Sequence, residues 1–452
     1  MSRPNTSEQA RFTSGSTLRH VIVMTLTGAM GLMSLFVVDL ADLFFLSLLE
    51  ITEVTAAVGY AGTIVFTNLS LSIGTGIAAA ALVARNLGAG NPARAREYAT
   101  SALMFSLLVS ATITLAIALG SGPMLSLLGA KDEAKHLAQL FIWTLTPGYI
   151  LISGAICCSF ILRGIGDAKR AMYITLSSAI ITAICDPIFI FGFGWGIQGA
   201  AAANVIGYLV SFGFGIHAVS KVHGFINPMR LSGLGRDFPG IWAIALPAML
   251  TQLATPFANA YLTYETSPFG DEAVAASAII GRVIPVAFGM IFTLSGSVGP
   301  IIGQNYGAGK FDRVKQTLND GMMSSAVYTI ITAILLFVFR HHIAEAFNAS
   351  GRTVDLVVFF CTYIAISWAF VGALFVSNAA FNNLGRPGLS TWFNWGRATL
   401  GTIPFAMAGA WLAGPEGILV GTAIGSVIFG IASAIAAYKI AAASGQTGSA
   451  GR

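Results

Sequence analysis

Three carboxylates stand where carboxylates are costly: Asp39 and Asp42 in the first long apolar run and Asp186 in the fifth. Placing one at the centre of a membrane helix costs about 2.5–3.5 kcal/mol on the translocon scale, and such groups are rarely kept without use. Asp39 and Asp42 are three residues apart, so they share roughly one helical face, where two ionised carboxylates would repel. Asp186 precedes Pro187, with Thr182 one turn before it. The proline has no N–H to donate, which frees a backbone carbonyl near residue 183. Asn204 adds an amide oxygen from the next run. Carboxylates, a hydroxyl and an amide make a hard-oxygen set, suited to a proton network or to a small cation such as Na⁺.

A second group has the chemistry to hold an organic cargo. Asn68, Gln252, Asn259, Tyr261 and Tyr264 lie in apolar runs and offer hydrogen bonds and aromatic faces to an amphipathic cation. Glu265 is expected at the interface and the His341-His342 pair in a solvated connection. The four cysteines, Cys157, Cys158, Cys185 and Cys361, form no C-x-x-C pair and read as small buried hydrophobes. Asn86-Leu-Gly-Ala-Gly90 and Asn305-Tyr-Gly-Ala-Gly309 lack the lysine of a phosphate loop and read as helix C-caps. No Ser/Lys, Cys/His or metal-spaced His constellation appears, so neither an enzyme nor a cofactor is expected.

The elements that carry these residues follow from composition. Of 452 residues, 55% are hydrophobic and 10% charged, with a mean hydropathy of +0.77. Soluble proteins carry roughly a quarter charged residues, so this is a polytopic all-α membrane protein. The apolar residues come in long runs without period-two alternation, which excludes an outer-membrane barrel. Each crossing needs about 20 apolar residues. Twelve transmembrane helices are expected, near 20–47, 54–82, 97–119, 137–159, 171–193, 197–217, 240–265, 274–300, 316–339, 355–381, 388–412 and 416–440. The first run is too long for a signal-peptide core and is expected to remain as a span. Residues 1–19 and 441–452 read as cytoplasmic tails, and 218–239 as a cytoplasmic linker between an N-lobe (20–217) and a C-lobe (240–440).

With the N-terminus in the cytoplasm, 18 of the 24 Lys and Arg fall inside and 4 outside, while Arg282 and Arg397 lie in or at the ends of spans. That bias puts both termini in the cytoplasm of a cell membrane, the bacterial inner membrane, and accounts for the net charge of +5 without nucleic acid. The halves also repeat. Asn86–Gly90 and Asn305–Gly309, Arg163–Gly166 and Asn382–Gly385, and Glu53 and Glu272 are all displaced by 219 residues. Two six-helix bundles in parallel orientation about a central cleft are a transporter architecture, with substrate near the midplane.

Asp42, Asn86–Gly90, Arg163–Gly166, Asp186-Pro187 with Gly192, Gly199–Asn204 and Gly303–Gly309, in this order along nearly the whole chain, resemble the multidrug and toxic compound extrusion (MATE) transporters, within them the branch named for a DNA-damage-inducible protein. The resemblance implies efflux of organic, often cationic and amphipathic compounds in exchange for H⁺ or Na⁺, by a monomer among membrane lipids. It places the N-lobe cation site on Asp42, Thr182, Asp186 and Asn204, with Asp39 nearby. Thr182 stands where relatives often have Asn, and Asn204 where they often have Thr. Acids that couple the C-lobe in some relatives are missing: Thr255 is at the seventh-span position, and residues 357–381 hold no Asp or Glu. Gly28 replaces the frequent first-span proline, whose repeat mate is Pro247. The alternatives are a lipid-linked precursor or polysaccharide flippase, which needs a basic cleft, and a passive channel.

Overall fold

A run of apolar residues long enough to cross the membrane has no water to hydrogen-bond its backbone, so it must satisfy itself as helix. The computed structural model, which describes residues 9–48 and 52–449, is helical throughout, with no strand among the described residues. The helices are α1 (Thr17–Ser47), α2 (Thr52–Gly88), α3 (Pro92–Leu127), α4 (Asp132–Ile165), α5 (Ala168–Pro187), α6 (Gly196–His217) and α7 (Leu231–Thr266). They continue with α8 (Asp271–Ala287), α9 (Gly289–Gly307), α10 (Phe311–Ala346), α11 (Arg352–Phe359), α12 (Trp368–Asn383), α13 (Gly388–Ala398) and α14 (Ile403–Ser449).

Ten described stretches are long and apolar enough to cross a membrane, eleven when α8 and α9, bent by 43° at their junction, count as one. The longest, Gly388–Gly445, turns back on itself. Ala413 and Gly414 are non-helical, and Gly409 lies directly against Gly417. It therefore holds two crossings, which brings the described spans to twelve. Four of these are not the simple helices expected. The fifth ends in a π-turn at Ile188–Gly192, the eighth is the bent pair, and the tenth passes through irregular turns at 360–367. The eleventh breaks at residues 399–402.

The turns that the repeat marks are helix ends. Gly90 and Gly309 have φ of +73° and +69°, and Gly166 and Gly385 have +95° and +82°. This left-handed conformation costs glycine little and lets the chain leave one helix and enter the next. Asn91 then caps α3 and Asp167 caps α5, each accepting an N–H three residues on.

The chain forms two compact units, one of Met30–Met249 and one of Arg11–Ala29 with Leu250 onward. The division falls inside α1 and inside α7, at positions displaced by about 219 residues. In the first unit the start of α7 is held by Asp237, fully buried. It accepts from Ser101 Oγ on α3 at 2.6 Å and pairs with Arg94 at 2.7 Å. In the second unit the start of α1 is held in the repeat-related way: Thr17 Oγ1 donates to Asp320 on α10. Ser101 and Asp320 are themselves 219 residues apart, so the tie is kept with donor and acceptor exchanged. The segment before α1 is bound there too, by Gln304 accepting from Phe12 N (2.9 Å) and by Arg313 donating to Phe12 O (2.9 Å).

Within the first unit, α2, α3 and α4 share a hydroxyl ladder: Thr75 to Ser106 at 3.0 Å and Ser106 to Ser153 at 2.9 Å. Small residues let helix backbones approach, and buried hydroxyls hydrogen-bond across them.

Candidate functional site

In the first unit, α1, α5 and α6 bring three of the expected residues together. Asn204 Nδ2 on α6 donates to Asp42 Oδ2 on α1 at 2.9 Å. Asp186 on α5 is fully buried, and neither of its carboxylate oxygens has a donor. Asp42 is half-buried, and its Oδ1 is likewise buried without a donor. Asp186 lies beside Asp42. No Lys, Arg or His forms an ion pair with either acid among the described residues.

The close packing of α5 on α6 explains the geometry. A Cβ on Gly207 would stand 2.3 Å from Thr182 Oγ1 and 3.0 Å from Ser178 O, so glycine is what lets α6 present Asn204 to α1. Thr182 is buried with its hydroxyl against Gly207, one turn from Asp186. The side chain of Asp39 lies outside the described residues. Two ionised acids sharing a site with no cation between them repel. The site is a pair of neighbouring acids, one of which accepts from an amide.

Of the five expected cargo residues, Asn68 is on α2 in the first unit, and Gln252, Asn259, Tyr261 and Tyr264 are on α7 in the second, where they do not share one face. Asn68 is buried in the first unit, with neither amide atom bonded, and so is closed to cargo here. Gln252 and Asn259 share one face of α7, whereas Tyr261 lies roughly half a turn around the helix. The half-buried Tyr261 donates its hydroxyl to Glu265 at 3.0 Å and lies 3.5 Å from the Ile403 carbonyl. This also gives Glu265 a partner. Tyr264 is 74% exposed on a third face. Side-chain type groups the four on α7, and helix geometry spreads them over three faces.

Sequence reasoning passed over one feature and left another without a role. One is the hydrophilic pair at the end of the first unit's linker, where buried His223 meets Asp167 at 2.9 Å and Arg170 donates to the same carboxylate at 2.6 Å. Those partners hold the Asp167 carboxyl well below the ordinary range despite its burial. The other is Arg397, discussed below. Its only sequence signal is an arginine in the middle of an apolar run.

Comparison with known proteins agrees with the fold and the repeat. The chain is 28% identical over 394 residues to a FAD transporter of Shewanella oneidensis, covering 85% of this chain and 86% of that protein. It is 24% identical over 290 residues to the multidrug export protein MepA of Staphylococcus aureus, covering 63% of each. Among solved structures, the Vibrio cholerae MATE transporter VcmN in its bent form matches with a TM-score of 0.89 at 24% identity, over 95% of this chain and 98% of that one. A MATE multidrug transporter in an outward-facing conformation matches with a TM-score of 0.90 at 22% identity, over 97% and 98%. At such identities the structures show the fold alone. The MatE family profile matches twice, over residues 29–188 and 247–407, once for each half of the repeat. The chain thus belongs to the MatE family, the multidrug and toxic compound extrusion proteins, which are membrane transporters and not enzymes.

Proposed function

We propose that this transporter exports organic amphipathic compounds from the cytoplasm in exchange for external H⁺, with Asp42 and Asp186 as the coupling pair. The observation that carries the reading is the acid pair without a cation partner among the described residues, Asp186 fully buried and Asp42 half-buried, with Asn204 donating to Asp42. A proton taken up from outside neutralises the pair, removes its repulsion and favours a different packing of α1 against α5 and α6. Proton loss on the cytoplasmic side restores the charge. Exchange requires that proton and cargo bind the two conformations unequally. Na⁺ is the competing driver. An amide N–H directed at Asp42 supports H⁺, since a sodium site would use the amide oxygen.

The charge bias of the loops supports an inner-membrane protein with both termini in the cytoplasm. The name of the Shewanella relative makes FAD a natural first cargo to offer, beside multidrug substrates.

The test is cargo uptake into inverted vesicles with pH and Na⁺ gradients imposed separately. Uptake is expected to follow the pH gradient and to be abolished by Asp42→Asn. Proton-driven uptake that survives in Asp42→Asn overturns the assignment. Dependence on Na⁺ at fixed pH transfers the same pair to sodium.

A further inference from the structure

The second unit has its own membrane-embedded charge, and the sign is opposite. Arg397 lies on α13, nine residues in from Gly388. At 1.5 Å per residue that is about 14 Å along the helix, close to the middle of a roughly 30 Å hydrocarbon layer. Its Nε is buried with no hydrogen-bond partner, and it forms no ion pair with any described residue. An arginine stays charged in proteins and is the side chain best shaped to grip a carboxylate or phosphate.

Its surroundings lead to it and then stop. α12 and α13 are joined by two polar rungs, Ser390 Oγ to Asn382 Oδ1 at 3.1 Å and Asn394 Nδ2 to Asn378 Oδ1 at 3.0 Å. Ser390, Asn394 and Arg397 follow at helical spacing along one face of α13. The next turn of α12 offers Leu374, buried and apolar, so the third rung has no protein mate. The backbone at this point is fixed. α13 ends at Ala398, Thr402 Oγ1 donates to the Arg397 carbonyl at 2.9 Å, and Gly396 and Gly401 both rest against Phe429. A pinned backbone beside an unpaired guanidinium, at a break in a membrane helix, matches the pattern of substrate sites in transporters.

We infer that Arg397 binds an anionic group, a phosphate or carboxylate, on the transported compound. The inference rests on the proposed export of organic compounds but not on which ion drives it. It departs from the purely cationic cargo that the acids of the first unit suggest. The cargo it describes has an aromatic or apolar body and at least one negative group.

Equilibrium binding to the purified full-length protein tests this without any gradient, so a failure of proton coupling leaves it intact. The probes are riboflavin and flavin mononucleotide, which share a ring system and differ by one phosphate, with carboxyfluorescein as a second anion. Wild type is expected to bind flavin mononucleotide about tenfold or more tightly than riboflavin. Arg397→Gln is expected to erase that preference while leaving riboflavin affinity unchanged, and Arg397→Lys to keep part of it. Retained riboflavin binding shows that the Gln variant is folded. If Arg397→Gln does not fold, the Lys variant must show a reduced preference for the phosphate. Equal affinity for the two flavins in wild type, no binding of either anion, or an unchanged preference in either variant overturns the inference.

Discussion

Asp167 shows how one side chain outside the membrane sets a pH dependence. Buried at the start of α5, it accepts from Arg170 and meets His223, and these partners depress its pKa relative to the unfolded chain. A depressed folded-state pKa contributes stability that is present above the unfolded value, about 3.9, and lost as pH falls below it. Asp167→Asn is therefore expected to lower the melting temperature of the purified protein at pH 7 by roughly 5 °C. The gap between the two proteins should hold from pH 7 to 5 and begin to narrow only as the pH is taken below about 4, towards the depressed folded value. A gap that stays constant below that point contradicts the assignment. At this scale the sequence was informative where burial is expensive: Asp42, Asp186 and Asn204 stand out because an apolar run contains them. It was mute about Asp167 and His223, since a loop acid beside an arginine looks like any solvated pair until its burial is known. It did not show that the Tyr261 hydroxyl, one turn from Glu265, donates to that carboxylate.

Helices were legible in number and less so in shape. Hydropathy marks a crossing by its length, but it does not show where a crossing bends. The break in the eleventh span at residues 399–402 and the doubling back at Ala413–Gly414 arise from contacts between backbones distant in sequence. The two arms of α14 and the break before it pack glycine on backbone at a spacing of four. Gly409 meets Gly417, Gly421 meets Phe405, and Gly425 meets Gly401. A Cβ on Gly425 would fall 1.6 Å from the Gly401 carbonyl oxygen, whereas one on Gly213 in α6 would meet nothing within 4 Å. Gly425→Ala is thus expected to cut the yield of monodisperse protein several-fold in fluorescence-detected gel filtration. Gly213→Ala should leave it unchanged or add up to about 1 kcal/mol of helix stability. Equal yields from the two variants would show that the arms are free to separate.

For the molecule as a whole, the 219-residue repeat was readable because both copies kept their turn glycines, and the family profile matches each copy separately. Unreadable was the exchange of first-helix ends, by which residues 11–29 belong with the second half and Leu231–Met249 with the first. Cutting the chain between residues 224 and 230 should yield two fragments of which neither accumulates alone. Expressed together, both should appear in the membrane by immunoblot; stable accumulation of either by itself would refute the interdependence. The same exchange has a consequence for synthesis. Phe12 leaves the ribosome 292 residues before its acceptor Gln304 exists. At roughly 5–20 residues per second, that is a wait of about 15–60 s. During that interval the leading end of the nascent protein lacks Gln304, Arg313 and Asp320, its hydrogen-bond partners in the second half, so chaperones and membrane proteases meet it exposed. The first helix made is among the last completed.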